Sequence, residues 1–246
     1  MNILRIWDKL GDFVGSTPFH PQYFVIRAER QSIKEIMPLL KGKVIDIGCG
    51  RMLLKKKIEK AGYKYLSLDH PKIYQRQRAV EKPDILADIT KIPLKRESVD
   101  SVLLLMVLAH LPDPFSASLE ISRITKKGGL LFVSSVENYP AHDLPDDFFR
   151  FRSSGIESIF SKYGFKLKNS YSWGNLWQVN AINFNVFVMQ NAKKIWDKTN
   201  SILLTAPIIL ISLPTFFVSN LIAILLTPLD IIKTSRLINF SIFIKK

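Results

Sequence analysis

The stretch Val44-Ile45-Asp46-Ile47-Gly48-Cys49-Gly50 decides the fold. Its first four residues form a short, β-branched apolar run, which is typical of a buried parallel strand. A glycine-rich turn follows, and Leu53 to Lys60 has a helix-forming composition. Glycine lets the backbone approach a ligand closely, and a helix N-terminus offers free N–H groups and the positive end of its dipole. The stretch predicts a strand, turn and helix that fit a ligand with an anionic end and an adenosine, although similar turns also occur in proteins that bind nothing there.

Composition sets bounds on the chain as a whole. The 246 residues suffice for one α/β domain with an additional region, and the formal charge of +14 predicts attraction to phosphates of nucleic acid or of a membrane surface. The single cysteine, Cys49, excludes an internal disulfide and favours a reducing compartment. Met1 to Gly15 lacks an apolar core of signal-peptide length, so we expect the chain to stay in the cytosol.

Residues 1–41 are predicted to form two helices that cover the core. Ile3, Ile6, Trp7, Leu10 and Val14 recur at helical spacing, and this short amphipathic helix fits either the core or a membrane surface. A second helical pattern runs from Gln22 to Leu40.

Strands and helices then alternate. The predicted strands after the first are Tyr63 to Leu68, Asp84 to Ala87, Val99 to Leu108 and Leu130 to Val136, and a helix is predicted from Ser116 to Lys126. This alternation predicts an α/β fold with a doubly wound, mostly parallel sheet, and ligands in such folds bind at the carboxyl ends of the strands. Gly48, Asp69, Asp88 and His110 all fall at that edge. Asp69 also follows Gly50 at about the 20-residue spacing at which an acidic group meets a ribose.

Several segments together carry a family resemblance. They are Val44 to Gly50, Asp69, Asp88-Ile-Thr-Lys-Ile-Pro-Leu94, Val99-Asp100, Leu108-Ala-His-Leu-Pro-Asp-Pro114, Glu120 to Leu130 and Phe148 to Phe165. This order resembles the class I S-adenosylmethionine-dependent methyltransferases, which have a Rossmann-like fold, and nearest the subgroup that methylates quinones and small molecules. The resemblance covers about Gln22 to Trp173, with the cofactor-binding core at 42–173. It implies S-adenosylmethionine as cofactor.

The resemblance also implies roles for individual residues. Gly48 and Gly50, with Cys49 between them, are expected at the methionine part of the cofactor, and Asp46 near its ammonium group. Asp69 is expected to bind the ribose hydroxyls, and Asp88 with Ile89 to meet the adenine. Two alternatives stay open, since Asp46 fits a brace for the glycine turn and Asp88 fits a turn cap. Met52 stands where the family usually has a third glycine, and a degenerate domain that binds the cofactor poorly also fits.

His110 is the predicted catalytic residue, because a general base for an oxygen acceptor needs a pKa near neutrality. The alternative stays open that His110 has only a structural role, as a residue at this position often has in the family that the chain resembles. His142 and Asp143 lie in the loop Asn138 to Asp147, a candidate lid, and the sequence predicts no metal site. The Asn/Asp-Pro-Pro-aromatic signature of enzymes that methylate base amino groups is missing after the fourth strand. Its absence disfavours a nucleic-acid amine as acceptor.

Residues 174–246 form the second predicted region. Thr199 to Leu229 contains no charged residue, a membrane composition that also fits a buried core helix or a single span. Lysines on both sides and the prolines 207, 214 and 228 favour a helical hairpin at about 200–229 that dips into one leaflet. A basic amphipathic strip from Ile231 to Lys246 is expected along the surface.

These features predict a membrane-associated methyltransferase that acts on a lipid or lipid-linked glycan or polyprenyl acceptor at the cytoplasmic face of the bilayer. The first alternative is an RNA methyltransferase whose basic surface binds phosphates. The second is a membrane-anchored domain that binds a partner without catalysis.

Overall fold

The computed structural model describes residues 14–15, 17–77 and 81–246, with the side chain of residue 77 outside this description. The helix predicted from Ile3 to Val14 falls on residues outside the described part, except for its last position. The second predicted helix is confirmed as α1, Tyr23–Ile36, and a short 3-10 turn, Met37–Leu39, follows it.

A seven-stranded sheet forms the core. Its strands are β1 (Lys43–Ile47), β2 (Lys64–Asp69), β3 (Ile85–Leu86), β4 (Val99–Leu105), β5 (Thr125–Val136), β6 (Phe165–Trp173) and β7 (Ile238–Lys245). Their order in the sheet is β3-β2-β1-β4-β5-β7-β6, and β1 to β5 pair in parallel. The predicted doubly wound parallel sheet is therefore confirmed, with β1 and β4 side by side at its centre.

The remaining helices are α2 (Lys55–Lys60), α3 (Pro71–Gln77), α4 (Pro114–Ile124), α5 (Ser153–Ser161), α6 (Leu176–Thr199) and α7 (Ile202–Leu226). Helix α4 shows how the sequence sets a boundary. The Asp113 carboxylate accepts hydrogen bonds from the N–H groups of Phe115 and Ser116, and Pro114 occupies the first turn, where no N–H partner is needed. Its apolar side, with Ala117, Ile121 and Ile124, is buried in the core.

The chain divides into two compact units. One contains residues 32–137, 141–172 and 239–246, which include the sheet. The other contains residues 138–140, 173–238 and the described part of 1–31, and it holds α6 and α7. Residues 174–246 thus contain α6 and α7, followed by one more strand of the sheet.

The predicted surface strip from Ile231 to Lys246 is wrong over its second half. Residues 238–245 form β7, and the side chains from Ile238 to Phe243 are buried. Their polar members have partners: the Asn239 amide donates to the Glu137 carboxylate and to the Phe151 carbonyl. Apolar and polar side chains alternate along this segment, which is the two-residue period of a strand.

The predicted turn inside residues 200–229 is also wrong, because α7 runs unbroken from Ile202 to Leu226 through Pro207 and Pro214. Each proline removes one backbone hydrogen bond, and the helix continues without it. The chain reverses earlier, at Asn200, whose φ of 47° is left-handed. A helical hairpin therefore exists, but it consists of α6 and α7 packed against each other.

Candidate functional site

The glycine turn after β1 is held against the end of β2. The backbone N–H groups of Gly48 and Cys49 both donate to the Leu68 carbonyl, at 2.8 and 3.1 Å. Gly48 has a φ of +71°, and a Cβ at this position would overlap the Val107 side chain. A larger residue is therefore excluded at Gly48 by both conformation and space.

Asp69 joins the end of β2 to the same turn. One carboxylate oxygen accepts from the Gly50 N–H at 3.0 Å and the other from the His70 N–H at 2.7 Å. The side chain is buried, and each oxygen keeps a second lone pair for a further donor. The structure thus brings two of the sequence-predicted residues, Gly50 and Asp69, into direct contact.

Asp46 lies on β1 beneath the turn and is buried. Burial raises the pKa of its carboxyl to about 6, and the negative charge of Asp69 adds to this, although a hydrogen bond from the Tyr65 hydroxyl opposes the rise. That bond is 2.7 Å long. Tyr65 was not predicted from the sequence, and no motif marks it, because the contact depends on the pairing of β1 with β2.

The Cys49 thiol remains protonated at neutral pH. Burial raises its pKa to about 12, with further contributions from the negative charges of Asp46 and Asp69. A thiol in this state is a poor nucleophile. Cys49 therefore fits the role of a small residue in a tight turn.

Met52 occupies the position of the third glycine with a φ of +51°, which is left-handed and uncommon for methionine. Its N–H donates to the Cys49 carbonyl at 2.8 Å, and its side chain is buried. At this position the backbone has the left-handed conformation that glycine favours, although the residue is methionine.

Asp88 and Ile89 follow β3 and differ in exposure. Asp88 is exposed and accepts from both the N–H and the hydroxyl of Thr90, and these bonds lower the pKa of its carboxyl. Asp88 therefore caps a turn, and its contact with the adenine stays a prediction. Ile89 is buried in the core cluster.

His110 ends the 3-10 turn Leu108–His110 that follows β4. Its Nδ1 lies 2.7 Å from the Asp146 carbonyl, and its ring meets the His142 ring edge-on, with centroids 4.9 Å apart. The candidate lid loop is therefore attached to the end of β4 at this point. The Phe148 and Phe149 N–H groups, just after the loop, donate to the Ala109 carbonyl.

Comparison with known proteins agrees with this geometry. Residues 45–133, from within β1 to within β5, match the family described as methyltransferase domain. This segment is a methyltransferase domain. The domain holds the sequence-predicted Asp46, Gly48, Cys49, Gly50, Asp69, Asp88, Ile89 and His110.

Relatives of the methyltransferase domain include ubiquinone biosynthesis O-methyltransferases. That of Dechloromonas aromatica is 25% identical over 147 residues, covering 55% of this chain and 60% of the relative. That of Aliivibrio fischeri is 29% identical over 140 residues, covering 54% of this chain and 58% of the relative. The chain thus spans less than two thirds of the length of these relatives.

Solved structures share the fold of the methyltransferase domain and of most of the chain. A SAM-dependent methyltransferase from Archaeoglobus fulgidus has a TM-score of 0.54 at 15% identity and covers 89% of this chain and 94% of its own. The cyclase SpnF has a TM-score of 0.51 at 15% identity and covers 89% of this chain and 81% of its own. Proteins with differently named activities therefore share this fold.

Proposed function

We propose that this chain is a membrane-associated S-adenosylmethionine-dependent methyltransferase that methylates an oxygen of a lipid-type acceptor at the cytoplasmic face of the bilayer. The observation that carries the proposal is one chain holding both the methyltransferase domain and a helix, α7, with a largely apolar exposed surface. The cofactor half and the membrane half have separate supports and separate tests.

The cofactor half rests on the turn between β1 and α2. In this proposal the backbone at Gly48 and Gly50 lies along the methionine part, and the buried Asp46 carboxylate faces the ammonium group. Asp69 accepts from the two ribose hydroxyls with the lone pairs that its N–H partners leave unused. Ile89 offers an apolar contact to the adenine from the core edge.

Methyl transfer needs little covalent help from the protein. The acceptor oxygen attacks the methyl carbon in line, the carbon–sulfur electron pair returns to sulfur, and S-adenosylhomocysteine leaves. A hydroxyl acceptor also loses a proton, which His110 can take at the ring nitrogen that does not face the Asp146 carbonyl. Positioning and exclusion of water supply most of the catalysis.

The membrane half rests on which side chains of α7 are buried. The buried positions are Thr205, Ser212, Phe216, Asn220 and Ala223, most of them polar or small. The exposed positions are large and apolar, with Leu203 at 83%, Leu210 at 71% and Ile211 at 66% exposure. Helix α7 thus buries small and polar residues and exposes large apolar ones. This distribution is the reverse of that in a helix of a soluble protein and is typical of a helix in lipid.

The composition of α6 favours an arrangement in which α6 and α7 lie along the membrane surface and α7 does not cross the bilayer. It packs along α7, and its exposed residues include Asn180, Asn183, Lys193 and Lys194. A crossing α7 would carry these polar groups into hydrocarbon, where each charge costs about 3 kcal/mol or more. With α7 in the interface, its apolar side meets the acyl chains, and basic residues at both ends stay with the headgroups.

The relatives and α7 together support the acceptor class of this proposal. The relatives are named for O-methylation in ubiquinone biosynthesis, and ubiquinone is a lipid. A lipid-type acceptor also explains why the enzyme would bind a bilayer. Lipid-linked glycans and polyprenyl intermediates belong to the same class.

Calorimetry with S-adenosylmethionine and S-adenosylhomocysteine tests the cofactor half. We expect Asp69→Ala to lower the affinity at least tenfold, because the ribose loses its acceptor. Asp113→Ala, which removes only the cap of α4, is the control and leaves the affinity unchanged. Absence of heat with either ligand in the wild type would contradict the cofactor site.

Flotation with vesicles of mixed zwitterionic and anionic phospholipid tests the membrane half. The variant Leu203→Gln/Leu210→Gln/Ile211→Gln is expected to stay in the buffer while the wild type floats. The control is Leu119→Gln, which changes an exposed leucine on α4. Equal flotation of all three proteins would rule out α7 as the lipid-binding surface.

The acceptor is identified by incubating the enzyme with methyl-labelled cofactor and a membrane lipid extract. Mass spectrometry should find one lipid species that gains a single methyl group. An incubation with total RNA is the parallel arm, and label in RNA instead of lipid would replace this proposal with the RNA alternative.

A further inference from the structure

Two histidines and an aspartate from distant parts of the sequence meet beside the end of β4. His110 belongs to the turn after β4, whereas His142 and Asp143 belong to the loop after β5. One potential ligand atom from each side chain lies within 4.8 Å of the others. All three residues belong to the unit that contains the sheet.

Hydrogen bonding fixes the tautomer of His110. A carbonyl oxygen only accepts, so the 2.7 Å contact with the Asp146 carbonyl places the proton of the neutral ring on Nδ1. The lone pair is then on Nε2. A histidine whose Nδ1–H donates to a backbone carbonyl is the usual arrangement for a metal ligand, because the donation orients the ring and makes Nε2 more basic.

A carboxylate also lies close to the His142 ring. Its Nδ1 lies 3.6 Å from the Asp147 carboxylate, which also accepts the His142 backbone N–H at 2.9 Å. The same carboxylate forms an ion pair with Arg150. The negative charge favours the proton on Nδ1 of His142 and the lone pair on Nε2.

We propose that His110, His142 and Asp143 form a binding site for one divalent transition-metal ion. Two imidazoles and one carboxylate suit Zn²⁺, Co²⁺, Ni²⁺ or Mn²⁺ better than Ca²⁺. Metal–ligand bonds of about 2.0 to 2.2 Å bring tetrahedral ligand atoms to about 3.4 Å from one another. The three ligand atoms, which lie within 4.8 Å of one another, therefore move closer together when the ion binds.

Three protein ligands leave a coordination position open, as in catalytic zinc sites. If the proposed function is correct, this position takes the acceptor hydroxyl. The bound hydroxyl loses its proton to water more readily, and its oxygen then attacks the methyl carbon of the sulfonium. The ion, taken from solution, is unchanged by the reaction, and His110 then acts as a ligand in place of a base.

Metal binding is measured on the full chain after dialysis against a chelator, by calorimetry with Zn²⁺ and by electron paramagnetic resonance with Mn²⁺. We expect one ion per chain. His142→Ala and Asp143→Asn should each lower the affinity at least tenfold, and His70→Ala, a histidine outside the cluster, should leave it unchanged. Asp143 is exposed, so its variant tests the site even if a histidine variant misfolds.

No binding by the wild type, or equal binding by wild type and Asp143→Asn, would overturn the proposal. Neither readout depends on methyl transfer. A chain that binds the ion but methylates nothing would contradict the proposed function alone, and a chain that methylates its acceptor equally with and without the ion would remove only the catalytic role.

Discussion

The Tyr65 hydroxyl donates a 2.7 Å hydrogen bond to the buried Asp46 carboxylate, from β2 to the neighbouring β1. This one bond does not offset the burial, because the pKa of Asp46 is still raised from 3.8 to about 6. The folded state therefore holds the proton of Asp46 more strongly than the unfolded state does. Burial of this charged carboxylate destabilises the fold. A buried carboxylate with a raised pKa beneath a glycine turn is typical of a binding residue.

Asp46→Asn is expected to stabilise the fold and to weaken cofactor binding. Between about pH 4 and pH 6 the folded wild type binds more protons than the unfolded chain, so its free energy of unfolding falls as pH rises, by about 3 kcal/mol in all. The asparagine variant lacks this fall. Urea unfolding across this range measures it, and parallel pH profiles for the two proteins would contradict the raised pKa.

Met52→Gly should destabilise the protein although glycine suits the backbone there. Removing a buried methionine side chain costs about 2 to 5 kcal/mol, and relief of the left-handed conformation returns about 1 to 2 kcal/mol. Glu97→Gly is the control, since Glu97 has a φ of 50° but is exposed, and it should stabilise slightly. Thermal unfolding compares the two. A stabilising Met52→Gly would mean that its side chain contributes little.

Asn220→Ala should loosen α7 from its partners. The Asn220 amide donates to the Pro18 and His20 carbonyls, and its oxygen accepts from the Asn185 amide. Each buried polar group left unpaired costs about 1 to 3 kcal/mol. Hydrogen exchange of α6 and α7 amides should accelerate at least tenfold, and a double-mutant cycle with Asn185→Ala should show coupling of about 0.5 to 3 kcal/mol. Strictly additive effects would argue against the network.

Gly174→Ala should be far more damaging than Gly62→Ala. Both glycines have a left-handed φ, at 91° and 86°. A Cβ on Gly174 would come 2.5 Å from the Leu237 Cβ, whereas nothing lies within 4 Å of one on Gly62. Both variants place alanine at a left-handed φ and so carry similar backbone strain. The difference between their free energies of unfolding in urea therefore measures the steric clash with Leu237. We expect at least about 2 kcal/mol, and equal losses would contradict the close packing of Leu237.

The sheet could be predicted from the sequence because each strand is marked by residues within its own segment. Short apolar runs that end at Gly48, Asp69 and Asp88 define strands and their carboxyl ends without any knowledge of distant contacts. The contact of Asp69 with Gly50 follows from the order of strands in this fold class. By the same reasoning, the sequence placed His110 at the correct edge.

The predictions that were wrong concern segments whose structure depends on contacts with residues far away in the sequence. Pro207 and Pro214 predict a break, yet a helix supported along its length by α6 continues through them. Lys245 and Lys246 suggest a surface, whereas the preceding residues from Ile238 show the period of a strand. His142 reaches His110 through a loop whose sequence has no periodicity, so no pattern in the chain predicts that contact.

In the described part of the chain, strand β6 adjoins the rest of the sheet only through β7, and β7 follows α7 in the sequence. During synthesis, the apolar residues of α7 therefore emerge before the strand that gives β6 its place. Helices α6 and α7 are thus complete while the sheet still lacks one of its strands. A premature stop just before residue 238 would leave β6 without the strand that joins it to the sheet, and degradation of that product would be the expected cellular outcome.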